Sequence, residues 1–144
     1  MQFEKTYELP YQARDVFAAW TSPEAVVPPA TRLDLNPVVG GYYRLILETP
    51  EQTSRAEGIF FAVEKDRRVR YTWEWNRDGE ITEIEVTFKD CESGSRLKIL
   101  HSGFHSEESC NQHKIGWDNY VEGLEGLLAA NPKVEAIKIG EETA

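Results

Sequence analysis

The chain has 144 residues, the size of one domain with a real core. Its 25 acidic residues outnumber its 16 basic ones, and a formal net charge of -9 argues against a nucleic acid or an anionic membrane surface as partner. No apolar run approaches the roughly 20 residues that span a bilayer, the start from Met1 to Lys5 does not read as a signal peptide, and Cys91 and Cys110 make no disulfide framework, so the expected setting is the cytoplasm.

Phe3, Lys5, Tyr7 and Leu9 alternate along a first strand that Pro10 stops. Residues 13–20 read as a short helix, because Val16, Phe17 and Trp20 share a face at helical spacing. Ser22-Pro23-Glu24 then carries a helix-start signal: a serine cap, proline at the first helical position and an acid near the positive end. Pro28-Pro29 ends that segment, so two short helices are expected after the first strand.

From Thr31 to Gly103 the text is strand and turn. Gly40-Gly41 opens a hairpin, Lys65-Asp66 and Ser93-Gly94 mark later turns, and Asp78-Gly79 is a two-residue hairpin signal. Such short connections join antiparallel neighbours. Val69, Tyr71, Trp73 and Trp75 share one face of their strand; Ile84, Val86 and Phe88, then Leu97, Ile99 and His101, do the same on theirs. An apolar sheet face must be covered.

The cover comes last. Ser106-Glu107-Glu108 is an N-cap followed by acids, and Asn131-Pro132 is a stop. Between them the pattern predicts a helix of about 23 residues, about 35 Å long. Its stripe runs Cys110, His113, Trp117, Tyr120, Val121, Leu124, Leu127 and Leu128. The expected fold is α+β, with a curved antiparallel sheet of six to seven strands wrapped around the long C-terminal helix in one domain over residues 1–130. Residues 131–144 form a tail whose Val134, Ile137 and Ile139 are expected to dock on a sheet edge or a second subunit, which would make a homodimer.

Trp20, Tyr43, Tyr71, Trp73, Trp75, Trp117 and Tyr120 are the inward aromatics. They either fill the core or line an apolar pocket, where indole N–H and phenol O–H groups orient a ligand. His101 and His113 sit on otherwise apolar faces. Each is either a hydrogen-bonded interior histidine or a group that contacts a ligand or moves a proton. These nine are the candidate ligand-binding residues. His101, His105, Cys110 and His113 lie close in sequence but match no standard zinc spacing. No nucleophile elbow, P-loop or dinucleotide fingerprint occurs, so no metal, cofactor or catalytic residue is assigned. Gly116, Gly123 and Gly126 interrupt the long helix, each at a cost of about 1 kcal/mol, and are either tolerated or there for close packing.

Four segments carry a resemblance: Leu9-Pro10 through Asp15-Val16-Phe17-Ala18-Ala19-Trp20-Thr21, Val39-Gly40-Gly41-Tyr42-Tyr43, Val69-Arg70-Tyr71-Thr72-Trp73-Glu74-Trp75 and His113-Lys114-Ile115-Gly116-Trp117. In this order they resemble the START-like (SRPBCC, helix-grip) superfamily, and more closely the bacterial homologues of the heat-shock-protein ATPase activator. The resemblance covers about residues 3 to 130 and implies a helix-grip fold with a cavity between helix and sheet. Relatives usually carry tryptophan where this chain has Pro28-Pro29, at the segment that frames the cavity mouth. Eukaryotic activators carry an additional N-terminal domain, whereas this chain starts at the first strand, so a chaperone partner is not expected. The leading expectation is non-catalytic binding of a small hydrophobic or aromatic molecule. The alternatives are a cyclase or aromatase acting on a polyketide-like substrate, with His101 or His113 and Tyr120 as acid–base groups, and a chaperone accessory protein acting through its outer surface.

Overall fold

The computed structural model describes residues 1–130, and the expected docking of the tail lies outside the described residues. Chain order runs β1 (Gln2–Leu9), α1 (Ala13–Trp20), β2 (Arg32–Leu35), β3 (Tyr42–Glu48), β4 (Thr53–Glu64), β5 (Arg68–Trp75), β6 (Thr82–Cys91), β7 (Gly94–Ser102) and α2 (Glu107–Ala130). The seven strands form one antiparallel sheet in the order β1-β7-β6-β5-β4-β3-β2. Every neighbouring pair from β2 to β7 is consecutive in the chain, so only the segment holding α1 has to cross from one edge of the sheet to the other. This is the helix-grip architecture expected from the alternation.

One α-helix, not two, follows β1. Ser22 does cap, its Oγ accepting from the Glu24 N–H, and the Ala25 N–H reaches the Ser22 carbonyl. Too few residues then remain before Pro28-Pro29 to propagate a helix, since proline restricts the residue before it and supplies no N–H. The segment makes turns instead, and buried Val27 and Ala30 pin it to the core.

Two local devices bend the sheet. A register shift falls between Phe60 and Ala62 where β4 pairs with β5, which strengthens local twist. Gly58 lies so close to the Thr72 carbonyl that a Cβ there would clash with backbone. The expected Asp78-Gly79 turn is displaced: the tight turn sits at Asn76-Arg77, both at positive φ (50° and 54°), closed by Asp78 N–H to the Trp75 carbonyl at 2.9 Å. Asn76 tolerates this conformation and Arg77 is held by Glu57, so the left-handed pair forms two residues earlier than the Asp78-Gly79 signal suggests. The longer connection that results carries Asp78 and Glu80 out over the inner face.

Ser106 caps α2, its Oγ accepting from the Ser109 N–H, and the stripe from Cys110 to Leu128 turns to the sheet. α2 packs closest to β1 and α1. Lys5 and Tyr7 of β1 both bond the Asp118 carboxylate, at 2.7 and 2.6 Å. At Gly123 the helix backbone abuts the Val27 side chain so tightly that a Cβ would have to displace it. The helix is therefore fixed along one side of the sheet.

Candidate functional site

Because α2 leans toward β1 and α1, it stands off from β3 and β5, and a cavity of about 510 Å³ fills the gap. Tyr43, Leu45 and Leu47 line it from β3, Trp73 and Trp75 from β5, and His113, Trp117 and Tyr120 from α2. Val27 to Ala30 closes one side. The size is that of a small-molecule site, and the walls are aromatic and aliphatic.

Next to the cavity the polar atoms form closed chains. The Trp117 indole N–H donates to His101 Nδ1 at 2.9 Å, so the ring proton of neutral His101 is on Nε2. That Nε2–H faces Thr82 Oγ1 at 2.7 Å, and Thr82 donates onward to the Trp73 carbonyl at 3.1 Å. Burial, with the adjacent His113 adding to it, pushes His101 down to about 3. Similarly, Trp75 donates its indole N–H to His113 Nε2 at 3.2 Å, leaving Nδ1–H to bond the Ser109 carbonyl at 2.8 Å. Both nitrogens of both rings are thus engaged. The two rings lie 5.0 Å apart, edge to face.

The open wall differs. Burial raises the hydroxyls of Tyr43 and Tyr120, Tyr43 well above the ordinary value and Tyr120 to about 12, so both are neutral phenols. They are near enough to influence each other's ionisation, yet Tyr120 Oη meets no partner at hydrogen-bond geometry. Trp73 Nε1 has none either. Three of the four indole N–H groups are satisfied, those of Trp20, Trp75 and Trp117, and the exception lies in the cavity wall.

At the mouth stand Asp78, Glu80, Gln112 and Asn119. Burial opposes ionisation of Glu80, but the Ser109 hydroxyl (2.6 Å) and the His105 N–H (2.7 Å) both donate to its carboxylate and hold it below the usual range. Among the described residues no lysine or arginine lines the cavity. No cluster of His, Cys, Asp and Glu there is placed to hold a metal, and both cysteines are free thiols. No helix among the described residues is long and apolar enough to cross a membrane. On the outer sheet face Tyr42 and Phe61 are exposed, each beneath a guanidinium, from Arg44 and Arg70 respectively.

Six of the nine candidate residues line the cavity: Tyr43, Trp73, Trp75, His113, Trp117 and Tyr120. Trp20, Tyr71 and His101 lie behind that wall, where Trp20 donates to the Tyr71 hydroxyl and stacks on Trp117. Leu45 and Leu47 continue the alternation of Tyr43 and could have been read from it. Asp78 and Glu80 carried no such signal, because the displaced turn places them, and the 27–30 segment was indicated by the resemblance alone.

Known proteins agree with this architecture. The family model described as "Activator of Hsp90 ATPase homolog 1-like protein" matches residues 10–129. The fold is similar to a protein from Mesorhizobium loti (20% identity, covering 90% of this chain and 98% of that one, TM-score 0.78). It is also similar to the AHSA1 protein from Silicibacter pomeroyi (20%, 91% and 99%, TM-score 0.74). A protein in the dynemicin biosynthetic locus is similar over 89% of this chain and 47% of its own, at 19% identity and TM-score 0.76. No curated protein matches the sequence.

Proposed function

We propose that this chain, which belongs to the Activator of Hsp90 ATPase homolog 1-like family, binds a small hydrophobic or aromatic molecule between α2 and the sheet without transforming it. The observation that carries this reading is the cavity of about 510 Å³ with indole and phenol walls. Binding without turnover is preferred because the imidazole nitrogens are already committed to indole, hydroxyl and carbonyl partners. A general base needs a free nitrogen within reach of the proton it removes. The setting we propose is the cytoplasm, where two free thiols stay reduced.

The likeness to a protein of the dynemicin locus favours one second reading, a cyclase or aromatase acting on a polyketide-like substrate. Native mass spectrometry of compounds that copurify with the protein separates the two. The binding reading expects an apolar compound that is released unchanged after incubation. Conversion of that compound to product, abolished by Tyr120→Phe or His113→Ala, would establish the enzyme instead.

A further inference from the structure

We infer that the Trp73 indole N–H is a recognition donor, and that the cavity selects neutral ligands carrying a hydrogen-bond acceptor, such as a ketone or ester oxygen, over hydrocarbons and carboxylates. The inference rests on the binding reading above and specifies its ligand class.

Three observations carry it. Trp73 is only 5% exposed and forms part of the cavity wall, yet its N–H has no acceptor in the protein. A buried donor without a partner is rare and costly, and an indole has no other way to be satisfied. The same residue shows what satisfaction looks like here, since its own carbonyl accepts from Thr82 and the three other indoles all donate. The Tyr120 hydroxyl, a neutral phenol beside that of Tyr43, adds a second polar group to the same wall. Finally, the charged side chains at the mouth are the acids Asp78 and Glu80, with no lysine or arginine in the lining to neutralise an incoming carboxylate. A carboxylate would enter past like charge and lose its hydration without a counter-ion.

Equilibrium dialysis with three naphthalenes of one shape tests the inference: 2-acetylnaphthalene, its hydrocarbon isostere 2-isopropenylnaphthalene, and 2-naphthoate. The ketone is expected to bind about tenfold more tightly than the hydrocarbon, the effect of satisfying one stranded donor. The carboxylate is expected to bind more weakly than either. In Trp73→Phe the ratio of ketone to hydrocarbon affinity should fall to about one, whatever the smaller ring does to both affinities. A nitrogen-15 spectrum of the unmodified protein gives the same answer without a variant: the Trp73 indole N–H resonance should move downfield with the ketone and not with the hydrocarbon. Equal affinity for ketone and hydrocarbon, with that resonance unmoved, overturns the recognition role and leaves the binding reading intact. Naphthoate binding as tightly as the ketone overturns the charge selection. Failure of all three to bind counts against the binding reading itself.

Discussion

The interior has two sides that treat their polar atoms in opposite ways. Toward β7, Trp117, His101, Thr82 and the Trp73 carbonyl form an unbroken chain of donors and acceptors, packed by Phe3 and Phe104. Toward β3, the Trp73 indole N–H has no partner, the Tyr120 hydroxyl has only that of Tyr43 near it, and the space beside them is a cavity. The side chains are of the same kinds on both sides. What differs is the distance of α2, held close to β1 by the Asp118 contacts and far from β3. On the closed side the polar groups satisfy one another; on the open side the Trp73 N–H is left without a partner.

That contrast can be broken most forcefully at its closed end. His101→Ala should destabilise the protein by about 3–5 kcal/mol in urea denaturation, because it leaves a void and strands Trp117 and Thr82. Acid attacks the same point. The folded state holds His101 at about 3 against an ordinary value near 6.5, so between those limits the unfolded chain binds more protons. Stability contributed by His101 is complete above about pH 6.5 and declines as pH falls toward 3, with a slope of up to about 1.4 kcal/mol per pH unit. Unfolding free energies between pH 7 and 4 should show that slope, and His101→Gln should flatten it.

A paired substitution sharpens the comparison. Trp117→Phe strands His101 Nδ1, whereas Trp73→Phe removes a donor that bonds nothing in the protein. The first should therefore cost about 1–3 kcal/mol more than the second in matched denaturation curves; equal costs would mean that the two sides are not energetically distinct. The smallest effect is on α2 itself. Gly116 has open space where a Cβ would stand, so Gly116→Ala should raise stability by up to about 1 kcal/mol, while Gly123→Ala should lower it by pressing on Val27. Thermal melts of the two variants should move in opposite directions.

The sheet and its cover were legible because they depend on local periodicity. Trp73 faces inward for the same reason as Val69 and Tyr71, namely the period of two along β5. Thr82 shares its parity with Ile84, so its inward direction was also there to be read, although a hydroxyl hides among apolar neighbours. The second short helix does not form because a capping signal marks where a helix can start, not whether enough residues follow to repay nucleation. The cavity was expected from resemblance, but its position depends on contacts such as Tyr7 to Asp118, joined across 111 residues, to which no periodicity points. The same holds for the commitment of His101 to Trp117 and of His113 to Trp75. Each pairing is decided by how the helix settles on the sheet.

The four tryptophans have an optical consequence. Trp20 stacks on Trp117 at 5.6 Å, Trp117 tilts onto Trp73 at 6.2 Å, and Trp73 meets Trp75 edge-on at 5.7 Å, so the indoles form one continuous row. Excitation absorbed by any one of them migrates along the row before it is emitted. The emission is therefore not a sum of four independent indoles, and three of the four stand in the cavity wall. A ligand touching Trp73 or Trp75 will dim light first absorbed at Trp20, and spectra of single-tryptophan deletions will not sum to that of the intact chain.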